Sequence, residues 1–231
     1  MADARRVQRL YDRAASRYDA WTRSHRLDQL RAHLLSRAAG DVLELGAGTG
    51  ATFAHYPPGL TRLTALDLSA AMLRVARLKA LTLPFPVQFV RRDFQTLPFE
   101  DGRFDTVVSS LGLCGIPDPA RLFMEVRRVL RPGGQLLALE HVRPPNRWLG
   151  VAADLIDPVF DHLVGCHPNR PTAEWLRASG FTVQVVERRL AGILVALRAV
   201  PGEGGLTPGA APGRGSVQRS AVTARRVARG A

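Results

Sequence analysis

The stretch at residues 42–50, VLELGAGTG, constrains what this chain can fold into more than any other. Val42, Leu43 and Leu45 give a short apolar strand core, and Gly46, Gly48 and Gly50 follow at every second position. Glycines so placed let the backbone turn sharply and bring a ligand almost against the main chain. A strand, a tight glycine turn and a helix together open a nucleotide-binding βαβ unit. The glycines do not say which nucleotide. Gly46, Gly48 and Ala51 also satisfy the loose dinucleotide pattern G-x-G-x-x-G/A, so a dehydrogenase is one reading.

Glu44, two residues before the first glycine, bears on that choice. A carboxylate there would repel a pyrophosphate and suit a cationic ligand, such as the ammonium and sulfonium of S-adenosylmethionine. The alternative is that Glu44 only caps a solvated strand end. The run from Glu44 to Gly50, E-x-G-x-G-x-G, resembles the first motif of the class I methyltransferases. That resemblance implies an α/β fold, a Rossmann-like doubly wound and mostly parallel sheet, with S-adenosylmethionine as cofactor.

A chain of 231 residues suits one domain with a proper core. It holds no apolar run of eighteen residues, so no membrane-spanning helix is expected. MADARRVQRL carries charge but no apolar segment, and no secretory signal is expected there. Cys114 and Cys166 are too few and too far apart to imply a disulfide framework, which makes a reducing cytoplasm the expected compartment. The net charge of +12 invites a nucleic-acid reading. Its distribution weakens it: Arg214, Arg219, Arg225, Arg226 and Arg229 crowd beyond Pro201 against Glu203 alone, and Lys79 is the only lysine. Such usage, with abundant Ala, Gly and Pro, looks like compositional bias. No specific nucleic-acid partner is expected, while a weak attraction to RNA or to an anionic membrane surface stays open.

Along the chain, residues 3–38 read as two amphipathic helices, on Val7, Leu10, Tyr11, Ala14 and Tyr18, then Leu27, Leu30, Leu34 and Leu35. YDRAASRYDAW, with Tyr18 and Asp19, resembles the helical lid that many small-molecule methyltransferases fold over the cofactor. Tyr18 and Trp21 read equally well as core anchors of that helix. A short helix is expected after the glycine turn, stopped by Tyr56-Pro57-Pro58-Gly59. A second strand ends at Asp67, about twenty residues beyond the glycines, where an acid meets a ribose diol in βαβ sites. The rival role for Asp67 is an N-cap. Ser69 then caps a helix whose Met72 is placed to pack on an adenine face. A third strand, residues 87–90, ends at Asp93-Phe94, a pair able to bond the adenine amino group and flank its ring.

The pattern L-P-F-x-D-x-x-F-D, Leu97 to Asp105, resembles the ubiquinone/menaquinone methyltransferases. By that likeness Thr49, Asp67, Asp93, Phe94 and Ser110 are cofactor contacts. Cys114, just past the fourth strand, has nothing basic beside it and reads as a packing residue. A helix at 117–130, then R-P-G-G and a fifth strand at 135–139, continue the methyltransferase likeness. Glu140-His141-Val142 ends that strand at the carboxyl edge, where open α/β sheets hold ligands. His141 is the general-base candidate, by its near-neutral pKa; a shaping role in an acceptor pocket is the other reading.

Residues 144–178 read as an apolar and aromatic helical insertion that walls an acceptor site. Asp161, His162, Cys166 and His167 fit no common zinc spacing, so no metal is expected. Residues 181–189 and 193–200 alternate as an antiparallel hairpin. The expected division is a lid at 1–40, a cofactor-binding domain at 41–200 and a disordered basic tail at 201–231. YPPG, LEHV and T-x-E-W-L-x-x-S-G-F further resemble the alkyl thiol methyltransferases of animal membranes, which implies a small, lipophilic acceptor: a thiol, a quinol or a phospholipid amine. Two alternatives remain, an RNA methyltransferase and a non-catalytic nucleoside-binding protein.

Overall fold

The computed structural model describes residues 4–22 and 24–202. The tail beyond Gly202 and the side chain of Trp21 lie outside the described residues. The element order is α1 (Ala4–Ala14), α2 (Tyr18–Thr22), α3 (His25–Leu35), β1 (Asp41–Leu45), β2 (Arg62–Asp67), α4 (Ala70–Ala80), β3 (Val87–Arg91), β4 (Phe104–Ser110), α5 (Pro119–Val129), β5 (Leu130–His141), α6 (Arg147–Val164), α7 (Thr172–Ala178), β6 (Phe181–Arg189) and β7 (Leu194–Pro201).

The strands form one seven-stranded sheet in the order β3-β2-β1-β4-β5-β7-β6. β1 to β5 run parallel; β7 is antiparallel to both β5 and β6. This is the expected doubly wound sheet closed by a C-terminal hairpin. β1, an interior strand, is covered on both faces, which is why its apolar residues run almost without interruption.

The period-two alternation of the strands sorts the core into two layers. Leu43, Leu45, Val107, Leu136 and Ala138 pack with Leu122, Phe123 and Val126 of α5. Val42, Leu63, Val108, Leu137 and Leu139 pack with Leu30, Leu34 and Leu35 of α3. A third, smaller cluster joins Ala15 to Ala71 and Met72, with Tyr11 and Tyr18 against it. It seats the N-terminal helices on the start of α4.

Three expectations about elements change. The N-terminal segment folds as three helices, because the chain turns after Ala14 and again after Thr22. No α-helix follows β1: positive φ at Gly46, Gly48 and Gly50 leaves only a turn and one 3-10 helix, Phe53–His55. The R-P-G-G run does not precede β5 but lies inside it. Leu130 pairs with Phe104 and Gln135 with Thr106, so residues 131–134 bulge out of a continuous strand.

Leu137 is fully buried in the layer under α3, whereas Leu78 on α4 is exposed. Leu137→Ala should lower the free energy of unfolding by about 2–5 kcal/mol, and Leu78→Ala by less than about 0.5 kcal/mol. Urea denaturation of the two variants checks this; equal losses would contradict the layering.

Candidate functional site

A cleft opens at the carboxyl ends of β1 to β4, roofed by Val7, Gln8 and Tyr11 of α1. Of the residues expected to hold a cofactor, Tyr18, Gly46, Gly48, Asp67, Met72, Asp93, Phe94 and Ser110 line it. Glu44, Thr49, Gly50 and His141 do not.

Asp67 does two jobs at once. Its Oδ2 accepts the N–H of Gly48 (2.8 Å) and its Oδ1 that of Ser69 (2.7 Å). These bonds fix the glycine turn against the next loop and still leave each oxygen a lone pair for a ligand. Burial pushes its carboxyl above the ordinary value despite those donors. Ser69 caps α4 by accepting Met72 N–H at 3.1 Å, and donates its hydroxyl to Asp12 of α1 at 2.5 Å. The N-terminal helices are thus tied to the same corner. Asp19 adds a second tie, accepting from Thr49 Oγ1 (2.5 Å) and pairing with Lys79 (2.6 Å). That is where the Thr49 hydroxyl goes. Gly50 faces away, and a Cβ there would sit 2.7 Å from the Phe53 ring.

Glu44 is not at the strand tip. It lies within the ladder, paired with Ala65 and Val108, on the same face as Val42. Alternation therefore turns it under the helical layer, where it is 1% exposed. Its carboxylate accepts hydrogen bonds from Thr52 Oγ1 (2.6 Å) and Tyr56 OH (3.0 Å). Its work is to hold the turn that follows the glycines. Burial raises its pKa from 4.5 to about 7.

A third buried carboxylate, Glu140, shapes the other wall. Its Oε1 accepts from Ser109 Oγ (3.0 Å), Gly112 N–H (3.1 Å) and Leu113 N–H (3.0 Å), and its Oε2 from Cys114 N–H (3.2 Å). Leu111, in the same turn, has a φ of 61°, a strained value for a side chain of that size. The four bonds to Glu140 hold that conformation. His141 sits beside this turn, its Nδ1 3.6 Å from Cys166 Sγ. Cys166 and Cys114 are themselves 2.6 Å apart, sulfur to sulfur. Cys114 does line the cleft, but as part of a cluster that neither spacing nor local pattern shows. His167 instead pairs with Asp157 (3.0 Å), and Asp161 with Arg6 (2.9 Å).

Residues 43–138 match a family model described as a methyltransferase domain. The chain is 33% identical over 220 residues to the demethylmenaquinone methyltransferase of Clavibacter sepedonicus, covering 83% of this chain and 88% of that protein. The chain belongs to the S-adenosylmethionine-dependent methyltransferases. It is also 38% identical over 165 residues to the human thiol S-methyltransferase TMT1B, covering 67% of this chain and 66% of that protein. Among solved structures, the fold is similar to that of a DhpI–SAH complex, with a TM-score of 0.64, 24% identity, and 86% and 97% of the two chains covered.

S-adenosylmethionine is accordingly the cofactor of this methyltransferase, and the cleft fits it. Gly46 and Gly48 present bare backbone to it, and Asp67, Asp93 and Phe94 line it with two carboxylates and an aromatic ring. One buried charge that bonds a cleft-lining side chain escaped the sequence reading. Arg31, on α3, is 5% exposed, with its Nε 3.5 Å from Ser110 Oγ and an Asp28 carboxylate 3.1 Å from Nη1. The signal was present: Arg31 is four residues after Leu27 and three before Leu34, on the inward stripe of the helix. It is a cation fixed behind Ser110, outside the lining of the cleft.

The raised pKa of Glu44 has a sign that can be tested. An acid whose folded pKa exceeds its unfolded one holds its proton longer in the native state, so stability falls as pH rises from about 4.5 to about 7. Glu44→Gln removes that dependence. Between pH 5 and 8 the difference in unfolding free energy between variant and wild type should move by about 2–3 kcal/mol in the variant's favour. Parallel pH profiles in denaturant titrations would contradict a buried, neutral-leaning Glu44.

Proposed function

We propose that the chain methylates the sulfur of a small, lipophilic thiol. The observation that carries this reading is the chemistry of the acceptor end of the cleft. Val7, Leu111, Cys114, Ile116 and Pro117 wall it, and among the described residues no histidine or lysine lines it. The two phenols that line the cleft, Tyr11 and Tyr18, both have their pKa pushed up by burial, that of Tyr18 to about 12, which makes them poor bases near neutrality. A carbon or phenol acceptor needs a base; a thiol with a pKa near 8.5 is already a few per cent thiolate at neutral pH.

The bound donor supplies an electrophilic methyl on a sulfonium sulfur. The protein's part is to hold the acceptor in line, exclude water and keep the donor's ends fixed. Asp67, Asp93, Phe94, Ser110 and Tyr18 are the residues assigned to the donor; the apolar wall is assigned to the acceptor. The likeness to a thiol S-methyltransferase supports the choice of sulfur.

We infer in addition that the acceptor reaches the cleft from an anionic membrane surface. α6 is built inside out. Its inward face is small or charged, with Gly150 and Ala153 buried, while Trp148, Leu155, Val159 and Leu163 are exposed. Its acids are occupied: Asp154 by Arg143, Asp157 by His167 and Asp161 by Arg6. α1 meets the end of α6 through Arg6 and through Tyr11 OH, which donates to Val164 O at 3.1 Å. The exposed residues of α1 include Arg9 and Arg13, with Arg17 just beyond, a basic stripe at helical spacing. An apolar helix face beside a basic one matches the interior and headgroups of an anionic bilayer surface. Among the described residues no helix is long and apolar enough to cross a membrane.

Two measurements test these readings. Labelled S-adenosylmethionine with a panel of alkyl thiols, quinols, phenols and amines should label the thiols at least about 10-fold faster by kcat/KM. Faster labelling of a quinol would overturn the thiol. In sedimentation with vesicles, the chain should bind phosphatidylserine-containing membranes more tightly than phosphatidylcholine alone. The double variant Trp148→Asp, Leu155→Asp should bind at least about 10-fold more weakly. No binding by the wild type, or equal binding to both vesicles, would overturn the docking surface.

A further inference from the structure

Three soft side chains from distant parts of the chain meet behind the acceptor end of the cleft. Cys114 stands in the turn after β4, His141 at the end of β5 and Cys166 just past α6. Their sulfur and ring-nitrogen atoms all lie within 4.8 Å of one another. Cys166 Sγ is 2.6 Å from Cys114 Sγ and 3.6 Å from His141 Nδ1. Both cysteines are free and buried, and Cys114 also forms part of the cleft wall. We propose that this triad is a zinc site whose fourth position opens on the cleft and takes the acceptor's sulfur.

The donor set is the first reason. Two thiolates and one imidazole select zinc among the common divalent ions, and three protein ligands with one open position is the arrangement of a catalytic rather than a structural site. The spacing is the second. Zinc bonds of about 2.0–2.3 Å in tetrahedral geometry place ligand atoms roughly 3.5 Å apart. Cys166 and His141 already stand at that separation, while the two sulfurs, 2.6 Å apart, have to part by about 1 Å to share the ion.

The scaffold is the third reason. The two cysteine loops are fastened backbone to backbone, with His167 N–H donating to Cys114 O at 3.2 Å. They are pressed so close that a Cβ on Gly115 would lie 2.6 Å from Gly165 O. Glu140, next to His141, holds the Cys114 amide from the other side. A ligand set on three separately anchored elements is pre-organised in the way a metal site requires.

The metal site stands on this geometry alone; the identity of its fourth ligand rests on the thiol reading. On coordination the acceptor thiol gives its proton to water. A sulfur lone pair then forms the new S–CH₃ bond as the donor's C–S bond breaks, and that bond's electron pair stays on the donor sulfur. The products are a neutral thioether and S-adenosylhomocysteine, with no change of oxidation state at the ion. A neutral thioether binds zinc more weakly than a thiolate and leaves.

The test uses the full chain, purified under reducing conditions, dialysed against zinc and analysed for metal. About one zinc per chain is expected. Cys166→Ser and His141→Ala should each bind zinc at least about 100-fold more weakly, with their melting temperatures recorded as a check on folding. Cobalt in place of zinc should give the visible bands and sulfur charge-transfer absorption of a tetrahedral site. Those bands should shift when an alkyl thiol is added. A reduced wild type without zinc, or variants with unchanged affinity, would overturn the site, as would a Cys114–Cys166 disulfide in the zinc-free protein as isolated. A cobalt spectrum indifferent to thiol would overturn the acceptor's place on the ion. Zinc bound with no thiol methylated by the panel would sink the thiol reading and leave the metal site standing.

Discussion

A carboxylate taken out of water has to be met by hydrogen-bond donors, and this molecule meets that demand with its own loops. Glu44 on β1 collects Thr52 and Tyr56; Asp67 at the end of β2 collects the amides of Gly48 and Ser69; Glu140 on β5 collects three amides and a hydroxyl from residues 109–114. Each acid fixes the turn that would otherwise wander over the sheet edge. Together they convert a row of loops into two rigid cleft walls. A loop that arrives already ordered loses little entropy when a ligand binds, so the stability invested in these bonds returns as affinity.

Only part of this was legible in the sequence. The glycine turn, the acids after β2 and β3 and the C-terminal hairpin follow from local pattern, and the sheet order agrees with them. Glu44 was misplaced because the motif invites the eye to the ligand, whereas the period of two along β1 already placed it with Val42 on the face under α3. Glu140 was read as one more strand-end residue, since nothing local shows which amides will curl back over it. Cys114 and His141 are separated by α5 and β5, and His141 and Cys166 by α6, and no spacing rule reaches that far. Arg31 was legible in principle, on the inward stripe of its helix, but an arginine among leucines reads first as a solvated residue.

The insertion illustrates a different limit. Its apolar and aromatic content read as the wall of an acceptor site, yet the structure exposes most of that content and sends only Gly165 to the cleft. Apolar composition shows that a surface will be buried, not against what. The N-terminal helices show the converse. Their amphipathic pattern was plain, and apolar packing does seat them, but polar ties fasten their edges: Asp12 to Ser69, Asp19 to Thr49 and Lys79, Arg6 to the end of α6. Polar ties exposed at their edges exchange with water more readily than packed apolar ones, which suits a roof over a cleft that must admit and release its ligands.

The dependence of the cleft on its buried acids is open to one direct measurement, amide hydrogen exchange at Gly112, Leu113 and Cys114 in wild type and Glu140→Gln, alongside calorimetric titration with S-adenosylhomocysteine. Glutamine keeps the shape but loses an acceptor oxygen and the charge. Exchange at those three amides should quicken at least about 10-fold, with protection of β1 unchanged and the affinity for S-adenosylhomocysteine reduced. Equal protection and equal affinity in the two proteins would contradict the idea that buried carboxylates build this site.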